Sequence, residues 1–120
     1  MVRPLKDSFR DAWSGLRTAV QTQRNMRIHL GCALLVLMAG YILPLSRPEL
    51  VVVILCIGLV IIAEIFNTVI ETVVDLATEE YHPLAARAKD LAAGGVLIAA
   101  IMAVVVGVII FLPKIGTLFY

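Results

Sequence analysis

The stretch that decides the fold is residues 50–76, LVVVILCIGLVIIAEIFNTVIETVVDL. Its first half is apolar without interruption, which is typical of a helix that crosses a membrane. Glu64, Glu71 and Asp75 then appear in what should still be buried or lipid-facing helix. An isolated charge at the centre of a bilayer costs at least about 2.5 kcal/mol. These carboxylates must therefore meet cations, metal or water.

The composition of the chain is that of an integral membrane protein of one domain, residues 1–120. Hydrophobic residues make up 61% and the mean hydropathy is +0.98, whereas soluble proteins average roughly 45–50% apolar residues. The net charge of +1 gives no global field that would attract nucleic acid. Cys32 and Cys56 lie in apolar runs and are interpreted as buried thiols, not as a disulfide or a metal site.

The predicted fold is an all-α membrane protein. Three apolar segments predict transmembrane helices at residues 28–45, 50–75 and 91–112. Pro113 is expected to end the last of them. Ahead of the first span, in residues 1–27, apolar side chains recur every three or four positions and Trp13 offers an aromatic anchor. This pattern predicts an amphipathic helix on the membrane surface, and packing on its own bundle is the alternative.

Lysine and arginine are distributed unevenly around the three spans. Eight of them precede the first span or lie between the second and third: Arg3, Lys6, Arg10, Arg17, Arg24, Arg27, Arg87 and Lys89. Only Arg47 and Lys114 occupy the other two flanks. Because basic residues favour the cytoplasmic side, the N-terminus is predicted to be cytoplasmic and the C-terminus outside.

Four polar residues of the second span share one helix face within about a quarter of the circumference: Glu64, Asn67, Glu71 and Asp75. If the second and third spans form a hairpin, Lys89 and Asp90 return near Glu71 and Asp75. Carboxylates that hold Mg²⁺, with a lysine for phosphate oxygens, are what phosphoryl transfer requires. A deeper carboxylate could accept a proton from a lipid hydroxyl. From spacing alone, a kinase is not distinguished from a proton- or cation-conducting bundle.

Two further features bear on packing. Small residues recur every four positions in the third span, at Gly95, Ala99, Ala103 and Gly107. Such a stripe lets helices approach closely and suggests a homo-oligomer, although it would serve packing within one chain equally well. His29, at the start of the first span, is interpreted as an interface histidine.

The segments AEIFNTVIETVVDL (63–76) and EEYHPLAARAKDLAAGGVLI (79–98) resemble the signature of the prokaryotic diacylglycerol kinase and undecaprenol kinase family. The resemblance covers essentially the whole chain. It implies a homotrimeric bacterial membrane enzyme with a surface helix and three transmembrane helices per chain. It also implies that ATP and Mg²⁺ are used to phosphorylate a membrane lipid alcohol, in active sites shared between subunits near the cytoplasmic face.

The resemblance assigns roles to individual residues. Glu64 corresponds to the catalytic base and Glu71 to a metal ligand. The nucleotide would contact Glu71, Asn67, Glu80, Tyr81, His82, Lys89 and Asp90. The lipid would contact Arg17, Asn25, Arg27 and Glu64. Gln23 stands where the family usually has a second metal-binding glutamate. Because the amide lacks the charge, weaker metal affinity is expected unless Glu79 or Glu80 contributes.

The expected function is phosphorylation of undecaprenol to undecaprenyl phosphate, because RNMRIH (24–29) resembles the Gram-positive branch of the family. Phosphorylation of diacylglycerol to phosphatidic acid is the alternative with the same chemistry. A small proton or cation channel and a non-catalytic assembly protein are alternatives of other classes. A channel predicts charges along a continuous path, but no charge lies in the outer half of any span. If the chain were an assembly protein, Glu64 and Lys89 would have no functional role.

Overall fold

The computed structural model describes residues 2–120, which form four helices: α1 (Leu5–Thr22), α2 (Arg24–Ile42), α3 (Arg47–Ala77) and α4 (Pro83–Phe119). The predicted all-helical fold is confirmed. Three of the helices, α2, α3 and α4, are long and apolar enough to cross a membrane. Only helices and closed barrels can satisfy their backbone polar groups in lipid, so four helices suit this composition.

The bundle is thin and has almost no interior of its own. Among residues 2–120, the buried apolar side chains are those of Ala19, Met26, Val53, Val60, Ala99 and Ile110. Most leucines, isoleucines and valines of α2, α3 and α4 are exposed. Their exposure would be costly in water, but lipid tails are as apolar as these side chains. Burial in this molecule therefore marks positions where helices meet.

Helices α3 and α4 form an antiparallel hairpin, which is the most extensive helix pairing in the chain. An ion pair closes each end of it. Lys89 Nζ lies 2.6 Å from Asp75 Oδ1 beside the connection, and Lys114 Nζ lies 3.0 Å from Glu49 Oε1 at the far end. At 1.5 Å per residue, α3 is about 46 Å long and exceeds a hydrocarbon core of about 30 Å. We call the end of the hairpin where α3 and α4 are connected, which carries Glu71, Asp75 and Lys89, the polar end.

The expectation that Pro113 ends its helix is wrong. Helix α4 continues through Pro113 to Phe119. A proline removes one backbone hydrogen bond and crowds the preceding turn, but membrane helices tolerate this because neighbouring helices and local adjustments satisfy the freed groups. The ion pair of Lys114 with Glu49 lies directly after the proline and ties this last part of α4 to α3.

The small residues of α4 pack partly within the chain. Ala99 is buried, and Ala103 and Gly107 line a cavity of about 280 Å³ between α2, α3 and α4. A Cβ added at Gly95 or Gly107 would meet no atom within 4 Å. Close approach inside this chain therefore does not require the two glycines.

Helix α3 begins with a complete capping box. The Ser46 hydroxyl accepts from the Glu49 backbone N–H at 3.3 Å, and the Glu49 carboxylate accepts from the Ser46 N–H at 2.9 Å.

Ser46→Ala should lower the free energy of unfolding by about 1 kcal/mol, because a first-turn donor loses its partner. Thermal unfolding in detergent measures this. The control is Ser8→Ala inside α1, and equal midpoints for both variants would contradict the prediction.

Candidate active site

The most buried large side chain of the molecule is a carboxylate. Glu64 is 1% exposed and Asn67, one turn further along α3, is 7% exposed. Glu64 Oε2 and Asn67 Oδ1 are both enclosed and have no hydrogen-bond partner within residues 2–120. An unsatisfied buried polar atom costs about 1–3 kcal/mol. A bundle that buries so little therefore retains two polar groups at a cost, and a catalytic role or a bound water or ion is a reason for such groups to persist.

The polar face of α3 is confirmed, and it leads from Glu64 towards the polar end. Asn67 Nδ2 donates to Glu71 Oε1 at 3.3 Å. The Thr68 hydroxyl donates to the Glu64 carbonyl oxygen at 3.0 Å. Asp75 follows on the same face and is exposed. Along this face, over three helical turns, the carboxylates therefore change from buried at Glu64 to exposed at Asp75.

A cleft of about 220 Å³ opens where α3 connects to α4. It is lined by Val74, Asp75, Thr78, Glu79, Glu80, Tyr81, His82, Ala85, Ala86 and Lys89. Local hydrogen bonds fix the connection. The Thr78 hydroxyl donates to the Glu80 carbonyl oxygen, and His82 Nδ1 accepts from the Leu84 N–H at the start of α4. The predicted nucleotide residues Glu80, Tyr81, His82 and Lys89 therefore share one surface.

The predicted return of the second loop to Asp75 is confirmed for Lys89, by its ion pair of 2.6 Å. Asp90 does not share the cleft. It is exposed and lines a separate shallow depression with Arg87, Leu91 and Tyr81. Adjacent residues of a helix point about 100° apart, so two neighbours cannot both face α3.

The predicted lipid residues lie around the junction of α1 and α2. Arg17 is exposed on α1, and Asn25 is exposed beside a small depression that His29 and α4 also line. The Arg27 guanidinium donates to the carbonyl oxygens of Val20 and Gln21, at 3.0 and 3.1 Å. Arg27 therefore satisfies carbonyls at the end of α1 and fixes the angle between the two helices.

The predicted metal ligands Gln23 and Glu71 are on different elements. Gln23 has extended backbone between α1 and α2, and its amide donates to the Thr22 hydroxyl at 3.3 Å. Residues 2–120 contain no group of three or more His, Cys, Asp or Glu side chains that could hold a metal ion. Mg²⁺ is commonly held by one or two carboxylates together with substrate phosphates. Glu71 fits that partial role.

The titratable and polar side chains described above lie together at one end of an apolar bundle. An enclosed carboxylate can accept a proton, and a partly exposed lysine among carboxylates can bind phosphate near a metal. Towards the other end, the cavity between α2, α3 and α4 is lined mainly by apolar side chains. No charged path leads from Glu64 across the described helices, which disfavours the channel interpretation.

His29 is the residue that sequence reasoning missed. Its side chain is only 19% exposed and its Nε2 lies 3.7 Å from Glu64 Oε2. The interface interpretation rested on its position at the start of a span. Its position in the sequence, six residues after Gln23, does not by itself predict a contact with Glu64, because that contact depends on how α2 crosses α3.

Comparisons with known proteins cover most of the chain. The family described as prokaryotic diacylglycerol kinase matches residues 10–111. A diacylglycerol kinase of Synechocystis sp. is 47% identical over 112 residues, covering 92% of this chain and 64% of that protein. The undecaprenol kinase of Bacillus subtilis is 42% identical over 107 residues, covering 89% and 87%. A diacylglycerol kinase of Escherichia coli is 37% identical over 105 residues, covering 88% and 86%.

Proposed function

Because this chain belongs to the prokaryotic diacylglycerol kinase family, and is therefore a lipid kinase and a phosphotransferase, we propose that it uses ATP to phosphorylate undecaprenol. The observation that carries the proposal is the enclosed Glu64 carboxylate beside the polar end. The similar proteins are named for two lipid alcohols. The RNMRIH segment favours undecaprenol, and diacylglycerol is the alternative acceptor.

In the proposed reaction, Glu64 takes the proton of the lipid hydroxyl. The lipid oxygen bonds to the γ-phosphorus of ATP, the bond from that phosphorus to the bridging oxygen breaks, and ADP leaves with the electron pair. Lys89 holds phosphate oxygens, and Glu80, Tyr81 and His82 hold the rest of the nucleotide. Glu71 and Gln23, together with the phosphates, would hold Mg²⁺, which would neutralise phosphate charge. Asn67 orients Glu71 through its hydrogen bond.

The lipid is proposed to approach along α1. Phe9 and Trp13 of this helix are 69% and 71% exposed. Exposed aromatic side chains are expected on an amphipathic helix that lies at a membrane interface. A space of about 560 Å³ separates α1 from α3 and is lined by Ala19, Ile65 and Thr68 among others. The proposed headgroup contacts are Arg17 on α1, Asn25 and Arg27 at the start of α2, and Glu64 on α3.

The active form is proposed to be a homotrimer in the bacterial plasma membrane, with the N-terminus in the cytoplasm and the C-terminus outside. Two features support shared sites. Residues 2–120 of one chain do not gather three His, Cys, Asp or Glu side chains that could hold a metal ion, and the apolar faces of α2, α3 and α4 are largely exposed. A neighbouring chain would cover part of these faces and bring further side chains to the nucleotide cleft.

The deciding experiment offers undecaprenol and diacylglycerol side by side to purified protein, with labelled ATP and Mg²⁺. Label in undecaprenol at the higher kcat/KM is the expected result. A preference for diacylglycerol would replace the acceptor and keep the mechanism. A folded protein that labels neither lipid would refute the proposal.

Gln23 offers a second test. Gln23→Glu should lower the Mg²⁺ concentration for half-maximal activity several-fold, because a charged oxygen replaces a neutral one near the metal. The control is Gln21→Glu, which adds the same charge two residues away on exposed α1. A magnesium titration of both variants measures the effect. Identical midpoints would exclude position 23 from the metal shell.

A further inference from the structure

His29 lies in a largely apolar setting, and Glu64 is the carboxylate that its ring faces. On the α4 side it shares a small depression with Ala93, Val96, Leu97 and Ala100. On the α3 side its Nε2 faces Glu64 Oε2 at 3.7 Å. That oxygen is enclosed and has no hydrogen-bond partner among residues 2–120. The other polar or titratable groups nearby are Asn25 and Cys32 on α2, Cys56 on α3, and Glu71 beyond Asn67.

The separation of 3.7 Å is informative. It is longer than an N–H···O hydrogen bond, which spans 2.7–3.2 Å. Catalytic hydrogen bonds are often long in an unliganded site and tighten when substrate binds. A shift of about half an ångström would complete this one, and the α4 residues that line the depression beside His29 have apolar side chains.

We propose that His29 is a positioning residue for Glu64. Its Nε2–H donates to Glu64 Oε2 when lipid is bound and fixes the plane of the carboxylate. The second carboxylate oxygen then faces the lipid hydroxyl and takes its proton. His29 gains and loses no proton overall, so the balance of the transfer is unchanged. The inference rests on the proposed role of Glu64 as base.

Three variants test this role kinetically. His29→Ala should lower kcat about 10- to 100-fold, the usual effect of one hydrogen bond to a charged group, with the KM for ATP within twofold of the wild type. His29→Gln should recover several-fold of the loss, because its amide can still donate. Cys32→Ala, which alters the same cavity one turn away, should keep wild-type turnover. In a Glu64→Gln background, His29→Ala should cause little further loss.

Infrared difference spectra give a readout that does not need activity. Subtracting the Glu64→Gln spectrum from the wild type isolates the Glu64 carboxyl band, which should shift in His29→Ala and not in Cys32→Ala. An unchanged band, or equal turnover of His29→Ala and the wild type, would overturn the inference. Equal losses for alanine and glutamine with a raised KM for ATP would also overturn it. A wild type that phosphorylates neither lipid would instead refute the proposed function, and the band shift would still decide the His29 contact.

Discussion

Glu64→Gln is expected to lower kcat by about 10²–10⁴-fold, the range that a general base contributes. The amide has the size of the carboxylate but cannot accept the proton of the lipid hydroxyl. Because Glu64 is 1% exposed and its Oε2 has no hydrogen-bond partner in the described part of the chain, the wild-type residue contributes little to stability. The variant should therefore fold as well as the wild type. Initial rates with saturating ATP and lipid, beside an unfolding curve in the same detergent, measure both properties.

A matched control exists on the same helix. Glu49 lies at the other end of α3, where its carboxylate pairs with Lys114 and accepts from the Ser46 backbone N–H. Glu49→Gln should change stability and leave turnover near the wild-type value. Full activity in Glu64→Gln would exclude this residue as the base. Equal losses in both variants would show that damage to α3, and not chemistry at Glu64, lowers the rate.

Much of the fold followed from local patterns in the sequence. Long apolar runs predicted the three helices that can cross a membrane, and spacing placed Glu64, Asn67 and Glu71 on one face. Both conclusions depend on helix periodicity, which is a property of neighbouring residues. The contact of Lys89 with Asp75 followed from one additional step, the assumption that α3 and α4 form a hairpin with a short connection.

Other features depend on how separate helices meet. His29 reaches Glu64 only because α2 crosses α3 at that level, and no pattern within α2 encodes the crossing. Pro113 was expected to end α4 by a rule from soluble helices, and the helix continues to Phe119. Asp90 adjoins Lys89 in sequence but faces another depression. If a site is shared between chains, its full set of residues cannot be predicted from the sequence pattern of one helix.

Lys89→Met is expected to lower kcat/KM for ATP by about 10²–10³-fold, comparable to removing one preorganised donor from a charged transition state. The variant keeps the length of the side chain and removes the charge that phosphate would meet. The alternative is that Lys89 serves only to pair with Asp75 at 2.6 Å. The two side chains are 40% and 66% exposed, and exposed pairs contribute about 0–1 kcal/mol. Loss of the pair alone is therefore too small to explain such an effect.

Asp75→Asn separates the two roles, because it breaks the ion pair and leaves the lysine charge in the cleft. We expect this variant to lose less than tenfold in kcat/KM, since the coupling removed is that of one exposed pair. Initial rates over a range of ATP concentrations, at saturating lipid and Mg²⁺, give the comparison. If the two variants lost activity equally, Lys89 would be a structural partner of Asp75. If Lys89→Met alone lost activity, its charge would act on the nucleotide, as a phosphate-binding lysine requires.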